Sequence, residues 1–121
     1  MGIVSCLGND LDTVSSALAA GRSGIRAMPD YPAAGLRSHV AGVPQIVVSE
    51  HIDRRDLRFM GDAAAFAAIS MARAIAQSGL TETEISNPRT GLIAGTGGGS
   101  PANIVEVADT LRARGLRKVG A

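Results

Sequence analysis

One cysteine and two histidines are the residues of this sequence best suited to nucleophilic chemistry. Cys6 is its single thiol, and a catalytic thiol needs a nearby base that favours the thiolate. The two imidazoles, His39 and His51, lie far from Cys6 along the chain. A lone cysteine in an apolar stretch is more often a packed residue than a nucleophile. The sequence therefore favours packing for Cys6, and because no spacing makes the histidines a metal pair, it predicts no metal site.

A glycine-rich segment, GLIAGTGGGSP at residues 91–101, is the second candidate for chemistry. A strand, glycines and a helix follow one another in dinucleotide sites, whose fingerprint is G-x-G-x-x-G. Gly95 and Gly97 match its first two glycines, but Ser100 occupies the sixth position, no acidic residue stands at the ribose-binding distance, and no P-loop lysine follows. A tight turn between strand and helix is the commoner use. Nucleotide binding is thus a weak alternative, and we predict no cofactor.

Two groups of basic residues are candidates for binding an acidic partner. Both are short runs, DRRDLR and RARGLRK, and their basic members are Arg54, Arg55, Arg58, Arg112, Arg114, Arg117 and Lys118. The whole chain is nearly balanced, with 12 basic and 11 acidic residues, so its net charge favours neither nucleic acid nor a membrane surface. Such runs are often solvated faces. If the two groups adjoin in space, they would instead bind phosphate or carboxylate groups of a partner.

The elements that position these residues begin with a strand end at residues 3–4 and an amphipathic helix. The helix is predicted to start at one of two capping candidates, Asn9 and Asp10, and to stop before Gly21. Residues 22–36 are rich in Gly, Pro and Ser and predict an irregular loop, and residues 38–48 predict a short edge ribbon. The order of elements along the chain indicates an α/β protein.

The second half predicts two helices around a strand. A helix from Asp62 to Ser78, closed by Gly79, is apolar on nearly every face and is expected to be buried on all sides. After a polar turn, residues 90–95 form a continuous apolar run typical of a fully buried strand. A last helix starts near Pro101, and its spacing turns four side chains inward: Ile104, Val105, Ala108 and Leu111.

The composition indicates that this chain lacks part of its packing partners. Hydrophobic residues make up 45% of the 121 residues, yet aromatic residues make up only 2%, so the core relies on small alanines. One complete buried strand requires neighbours on both edges. No run of 18 apolar residues and no signal peptide is present, and one cysteine suits a reducing compartment. We predict part of one larger cytoplasmic domain.

Six segments in order resemble the N-terminal part of a β-ketoacyl-acyl carrier protein synthase of type I, a condensing enzyme. The similarity covers essentially the whole chain with family-like spacing, and the segments are GIVSCLGN, GRSGI, RSHVAG, IDRRDLRFMGDAA, NPRTGLIAGTGGGSP and RGLRKVG. The resemblance implies that residues 1–121 are an incomplete N-terminal domain, without its first strand and its catalytic remainder. The implied fold is part of the N-terminal half of a thiolase-like layered α/β/α/β/α fold.

The resemblance also implies an activity, a decarboxylative Claisen condensation in fatty acid synthesis. Its substrates are an acyl thioester and malonyl-acyl carrier protein, and the family functions as a homodimer. One cysteine, two histidines and a supporting lysine carry the reaction in the family, and all of them lie C-terminal to the region matched here. We therefore assign no catalytic residue to this chain, and Cys6 is not the nucleophile's counterpart.

What the resemblance does carry over is a binding surface. Five arginines match basic positions that meet the acidic carrier protein in similar enzymes: Arg54, Arg55, Arg58, Arg114 and Arg117. The match for the last two is interrupted, because the chain is one residue shorter around Arg112 to Arg114. Gly98 matches a position facing the acyl tunnel near the dimer interface, and Gly97 and Gly99 complete that loop.

Two further expectations concern the chain by itself. We expect it to be inactive, and poorly soluble or molten, because a helix apolar all round and a lone strand lack partners. The principal alternative to a condensing enzyme is a non-catalytic module that binds the carrier protein or dimerises.

Overall fold

The computed structural model describes residues 1–119, most of which belong to helices or to irregular segments. Its elements are α1 Leu11–Ala19, β1 Ile25–Ala27, β2 Val40–Gly42, a 3-10 turn Val48–Glu50, α2 Arg54–Leu57, α3 Asp62–Ser78, α4 Glu82–Ile85, α5 Pro101–Arg114 and a 3-10 turn Leu116–Lys118. Helices together with a β ribbon fit part of an α/β domain. Within residues 1–119, no helix has both the length and the apolar character needed to cross a bilayer.

Helix α1 begins and ends where the sequence predicts. The Asp10 carboxylate accepts hydrogen bonds from the backbone N–H of Thr13, at 2.8 Å, and from the Thr13 hydroxyl, at 2.7 Å. These bonds satisfy a donor that the first turn of a helix leaves free. One face of α1 buries Val14 and Ala17.

Helix α3 has the predicted bounds, Asp62–Ser78, but not the predicted burial. Gly79 ends it in the left-handed conformation with φ 71°, which glycine adopts without steric cost. Ala65 and Ile69 are buried, and most of its other side chains are partly or fully exposed. The prediction of burial on all sides is wrong for residues 1–119, because they contain no elements to cover the remaining faces.

Arg73 of α3 holds the start of the chain. Its guanidinium donates to the carbonyl of Ile3 at 3.3 Å and to the carbonyl of Asn9. The Asn9 side chain in turn donates to the Gln45 carbonyl at 2.7 Å. These bonds connect the opening segment both to α3 and to the chain after the ribbon.

The β ribbon differs from the prediction in its first strand. β1 pairs antiparallel with β2, with Ile25 opposite Gly42 and Ala27 opposite Val40. The predicted ribbon at residues 38–48 supplies only one of the two strands, and the other comes from the predicted loop at 22–36. Three residues give too short a pattern to reveal a strand, and pairing alone defines it.

Three further expectations are wrong in this structure. Residues 3–4 and residues 90–95 form no strand, and Ile93 in the second segment is 99% exposed. A strand exists only when a neighbour satisfies its backbone groups, and no neighbour within residues 1–119 does so. The polar turn contains the short helix α4, where Thr81 and Glu84 form a capping box.

The apolar face of α5 also departs from the prediction. Ile104, Val105 and Leu111 were expected inward but are exposed, Ile104 at 65%, and Ala108 is half-buried. Helix α5 itself forms as predicted, with Pro101 in its first turn. Local sequence thus determines the helix, whereas burial of its apolar face requires a partner.

Candidate functional site

The first basic group is presented by a one-turn helix, α2. The Asp53 carboxylate accepts a hydrogen bond from the backbone N–H of Arg55 at 2.8 Å, which starts the turn. Arg54, Arg55 and Arg58 are all exposed. The Arg58 guanidinium lies over the ring of Phe59, 4.4 Å from the ring centroid, a cation–π arrangement that restricts where this charge lies.

The second basic group lies where α5 ends. Arg114 is the last residue of α5, and Gly115, with φ 77° and ψ 170°, reverses the chain into the 3-10 turn that contains Arg117 and Lys118. This turn packs back against α5. Arg114 and Arg117 are exposed, so their guanidinium groups are accessible to a partner.

Arg112 differs from the other basic residues of this group. Its guanidinium forms a salt bridge with Asp109 at 3.1 Å, one helical turn earlier. A charge engaged in this way contributes less to a partner's recognition than an unpaired one.

The structure brings the two basic groups together at one groove of about 340 Å³. We call it the α5 groove, and we define it by Arg58, Phe59, Glu106, Val107, Thr110 and Lys118, all of which line it. The first group reaches it through Arg58 and the second through Lys118. Arg54, Arg55, Arg114 and Arg117 lie outside its lining. Lys118 was not among the predicted docking residues, which were five arginines. Its approach to Arg58 depends on the turn at Gly115, which the sequence pattern did not reveal.

The glycine loop is open in this structure. At Gly97, Gly98 and Gly99, a Cβ atom would meet no heavy atom within 4 Å. The Thr96 hydroxyl donates to the Gly98 carbonyl at 2.8 Å, which holds the turn. Nothing within residues 1–119 therefore requires glycine at Gly98, and the expected acyl tunnel stays a prediction.

A cavity of about 380 Å³ separates the glycine segment from α3. Its wall on α3 consists of Ala63, Ala64 and Ala67, at the i, i+1 and i+4 spacing of one helix face. At its edge Gly61 approaches Ser100 so closely that a Cβ at Gly61 would lie 2.6 Å from the Ser100 Cβ. Sequence reasoning missed this cavity, although the spacing of the three alanines is a signal that was available.

Cys6 is half-buried and lies against the glycines of the ribbon region. A Cβ at Gly24 or Gly42 would lie 2.7 or 2.9 Å from the Cys6 sulfur. This packing agrees with the structural role favoured for Cys6, while His39 and His51 are exposed. Among residues 1–119, no group of three His, Cys, Asp or Glu side chains could hold a metal ion.

The carboxyl groups with shifted pKa values lie at helix starts rather than at the α5 groove. The backbone N–H of Thr13, and then its hydroxyl, stabilise the Asp10 carboxylate and lower its pKa. The N–H and hydroxyl of Thr81 lower the pKa of Glu84 in the same way. These shifts belong to helix capping and not to acid–base catalysis.

The chain belongs to the β-ketoacyl synthase family, because the family model "Beta-ketoacyl synthase, N-terminal domain" matches residues 1–120. This confirms the family resemblance of the six segments. The domain that this family model describes is thiolase-like. The helices and the β ribbon of residues 1–119 are compatible with an α/β fragment of such a domain.

Sequence identity is higher to synthase 1 relatives than to a synthase 2 relative. The chain is 48% identical over 120 residues to 3-oxoacyl-acyl-carrier-protein synthase 1 of Haemophilus influenzae, covering 98% of this chain and 30% of that protein. It is 48% identical over 122 residues to the synthase 1 of Escherichia coli strain K12, covering 99% of this chain and 30% of that protein. Identity to synthase 2 of Coxiella burnetii is 31% over 120 residues, covering 98% of this chain and 29% of that protein. The chain thus spans about 30% of the length of the synthase 1 relatives.

Proposed function

We propose that this chain is the N-terminal part of a type I 3-oxoacyl-acyl carrier protein synthase, an acyltransferase of fatty acid synthesis. The observation that carries the proposal is the 48% identity to synthase 1 proteins along nearly the whole chain. A match that runs through every helix supports a shared parent domain more strongly than one motif would.

The parent protein catalyses a decarboxylative Claisen condensation. An acyl group is transferred to the thiolate of a cysteine, forming a thioester and releasing the thiol that carried it. Malonyl-acyl carrier protein then loses CO₂, and the resulting carbanion attacks the thioester carbonyl, which forms a carbon–carbon bond and expels the cysteine thiolate. Donors to the developing oxyanion lower the barrier. These groups lie in the parent beyond residues 1–121, so the chain alone is inactive.

This chain's part in the reaction is to bind the acidic acyl carrier protein. The five arginines Arg54, Arg55, Arg58, Arg114 and Arg117 are exposed, and none of them forms an ion pair within residues 1–119. Guanidinium groups form strong paired hydrogen bonds with carboxylates and phosphates, which suits an acidic protein bearing a phosphorylated arm.

The glycine loop Gly97–Gly99 forms part of the acyl tunnel beside a second subunit of a cytoplasmic homodimer. Its support is the match of Gly98 to the tunnel position of similar enzymes and the exposed apolar run that precedes it, with Ile93 at 99% exposure. In the parent, the rest of the layered α/β/α/β/α fold covers Ile93 and the exposed side of α5. A larger side chain at Gly98 narrows the tunnel and shortens the acyl chain accepted.

The test is an assay of the full-length protein. Its complete coding region is first identified by sequencing the DNA that flanks the part encoding this chain. We expect it to release CO₂ from malonyl-acyl carrier protein and to form a 3-oxoacyl product. The variant Arg55→Glu with Arg58→Glu should bind carrier protein more weakly at low salt, with a smaller loss at high salt. Unchanged affinity at low salt would contradict the docking assignment.

One observation favours a second candidate, a non-catalytic carrier-binding or dimerisation module. The described residues hold a groove lined by Arg58 and Lys118, but their one cysteine packs against glycines and their histidines are exposed. A full-length protein that binds carrier protein yet lacks the Cys-His-His set and forms no condensation product would establish this candidate. A nucleotide-binding domain is disfavoured by the family match, and nucleotides should leave the melting temperature unchanged.

A further inference from the structure

The glycine loop Gly97–Gly99 is held by one side chain. Among the residues that the structure describes, both hydrogen bonds on the backbone of residues 91–99 involve the Thr96 hydroxyl. This hydroxyl donates to the Gly98 carbonyl at 2.8 Å and accepts from the Gly98 N–H at 3.4 Å. Three successive glycines have little intrinsic restraint on their backbone direction. The direction of the loop therefore depends on Thr96.

The cavity between the glycine segment and α3, which we call the α3 cavity, leaves room beside this loop. Its volume is about 380 Å³, and three alanines of α3 form one wall. Thr96 and Gly99 border this cavity, whereas Gly97 and Gly98 between them do not. Because the wall on α3 presents only methyl groups, the loop can move toward α3 without displacing a bulky side chain.

The C-terminal end of the loop is fixed, so the movement is confined to the loop itself. Ser100 precedes the first residue of α5 and lies against Gly61, where a Cβ would be 2.6 Å from the Ser100 Cβ. A Cβ at any of residues 97–99, by contrast, would meet no heavy atom within 4 Å. A packed end and an open tip are what a short movable gate requires.

We propose that Thr96 is a positioning residue for the acyl tunnel: its hydroxyl holds the glycine loop away from α3, and its release lets the loop retreat into the α3 cavity. A long acyl chain that reaches Gly98 displaces the loop and breaks the two Thr96 hydrogen bonds. A short acyl chain ends before the loop and leaves them intact. The inference rests on the proposed function, which assigns Gly98 to the tunnel but gives no role to Thr96 or to the α3 cavity.

The experiment compares kcat/KM of the full-length protein for hexanoyl- and hexadecanoyl-acyl carrier protein. Thr96→Val keeps the size of the side chain and removes the hydroxyl. It should raise the ratio of the long-donor to the short-donor value about 5-fold, which corresponds to one net hydrogen bond, because only the long donor meets the loop. Thr96→Ser keeps the hydroxyl and should restore the wild-type ratio. This pair separates the hydrogen bonds from the size of the side chain.

Filling the α3 cavity should have the opposite effect. Ala64→Leu blocks the retreat of the loop, so it should lower the same ratio and should cancel most of the gain when combined with Thr96→Val. Ala67→Val fills less of the cavity and replaces Ala64→Leu if that variant does not fold. Ala76→Leu is the control, since Ala76 lies on α3 outside the cavity lining and should leave the ratio unchanged.

Hydrogen exchange measures the restraint on the loop without an activity assay. A peptide covering residues 91–100 should exchange faster in Thr96→Val than in the wild type, and Thr96→Ser should exchange at the wild-type rate. Equal exchange in all three proteins would show that the hydroxyl does not hold the loop, and the inference would fail.

The kinetic outcomes distinguish this inference from the proposed function. If the parent condenses both donors and Thr96→Val leaves their ratio unchanged, the inference is overturned and the proposed function stands. The same holds if Thr96→Val slows both donors equally, because Thr96 would then have a structural role alone. A parent that forms no 3-oxoacyl product with either donor removes the proposed function and this inference together.

Discussion

Residues 1–79 bury a few of their apolar side chains, whereas residues 90–119 bury none of theirs. The first region buries Val14 and Ala17 of α1 and Ala65 and Ile69 of α3. The second leaves its apolar run and the apolar face of α5 exposed. Both regions contain many apolar residues, so the difference lies in whether a packing partner is available within the chain. Partial folding of this kind is typical of a segment cut from a larger domain.

The largest expected effect is on the isolated 121-residue chain. Because four small or medium-sized side chains are a small core, we expect it to be molten or poorly soluble, to bind a hydrophobic dye and to lack a sharp melting transition. Calorimetry and dye fluorescence measure this. A cooperative melt of a monomer would mean that the residues buried in region 1–79 are enough to fold the whole chain. The two regions would then not differ in stability.

Ile69→Ala in the full-length protein tests the buried region. Ile69 is 3% exposed, so its truncation should lower the free energy of unfolding by about 3 kcal/mol through lost burial and a residual cavity. Denaturant titration measures the change. A loss below about 1 kcal/mol would show that this site is not a packed core.

Ile104→Ala is the matched test of the exposed region. Ile104 is 65% exposed here, but the parent should cover it, so we expect a loss of about 2 kcal/mol in the full-length protein. If α5 keeps the exposure seen in this chain, the loss will be close to zero. The ratio of the two losses in unfolding free energy, for Ile104→Ala and for Ile69→Ala, therefore measures how far the parent buries the apolar side chains that are exposed in residues 90–119.

Arg73→Met should have a smaller effect, about 1.5 kcal/mol in the full-length protein, because it removes the hydrogen bonds to the carbonyls of Ile3 and Asn9. Methionine keeps much of the side chain's apolar length. Hydrogen exchange should rise in the opening segment and stay unchanged in α5. Equal exchange in both variant and wild type would contradict the role given to Arg73.

The smallest effect concerns pH and the start of α1. The pKa of Asp10 is lowered in the folded state, so its stabilising contribution is complete above the unfolded value of about 3.9 and is lost as the pH falls through the folded value. Asp10→Asn should remove this acid-dependent loss while still capping the helix. Stability measured between about pH 2 and about pH 6 tests it, with Asp12→Asn as control.

Signals that lie within one element were readable from the sequence, and pairings between elements were not. Helix α3 was predicted with both bounds because Gly79 ends it locally. The strand at residues 90–95 was not formed, since its hydrogen-bond partners must come from other strands. The family was readable because six segments kept their order and spacing, and it is confirmed by the match over residues 1–120.

In the candidate site too, local features were predictable from the sequence and contacts between distant residues were not. The exposure of Arg54 and Arg55 follows from a short, charged helix and needed no structure. The meeting of Arg58 with Lys118 joins residues far apart in sequence, and it depends on how the chain leaves α5. The docking role of the five arginines and the tunnel role of Gly98 remain predictions for the full-length protein.

Gly115 also constrains how this surface can change during evolution. Its combination of φ 77° and ψ 170° is open almost only to glycine, so the direction of the chain after α5 is fixed at that residue. Lys118 reaches the groove because it is the third residue after the glycine. An insertion between Gly115 and Lys118 would place a neighbouring residue at the groove, whereas an insertion within α5 would leave that offset intact. Homologous docking surfaces should therefore be aligned on this glycine before their charges are compared.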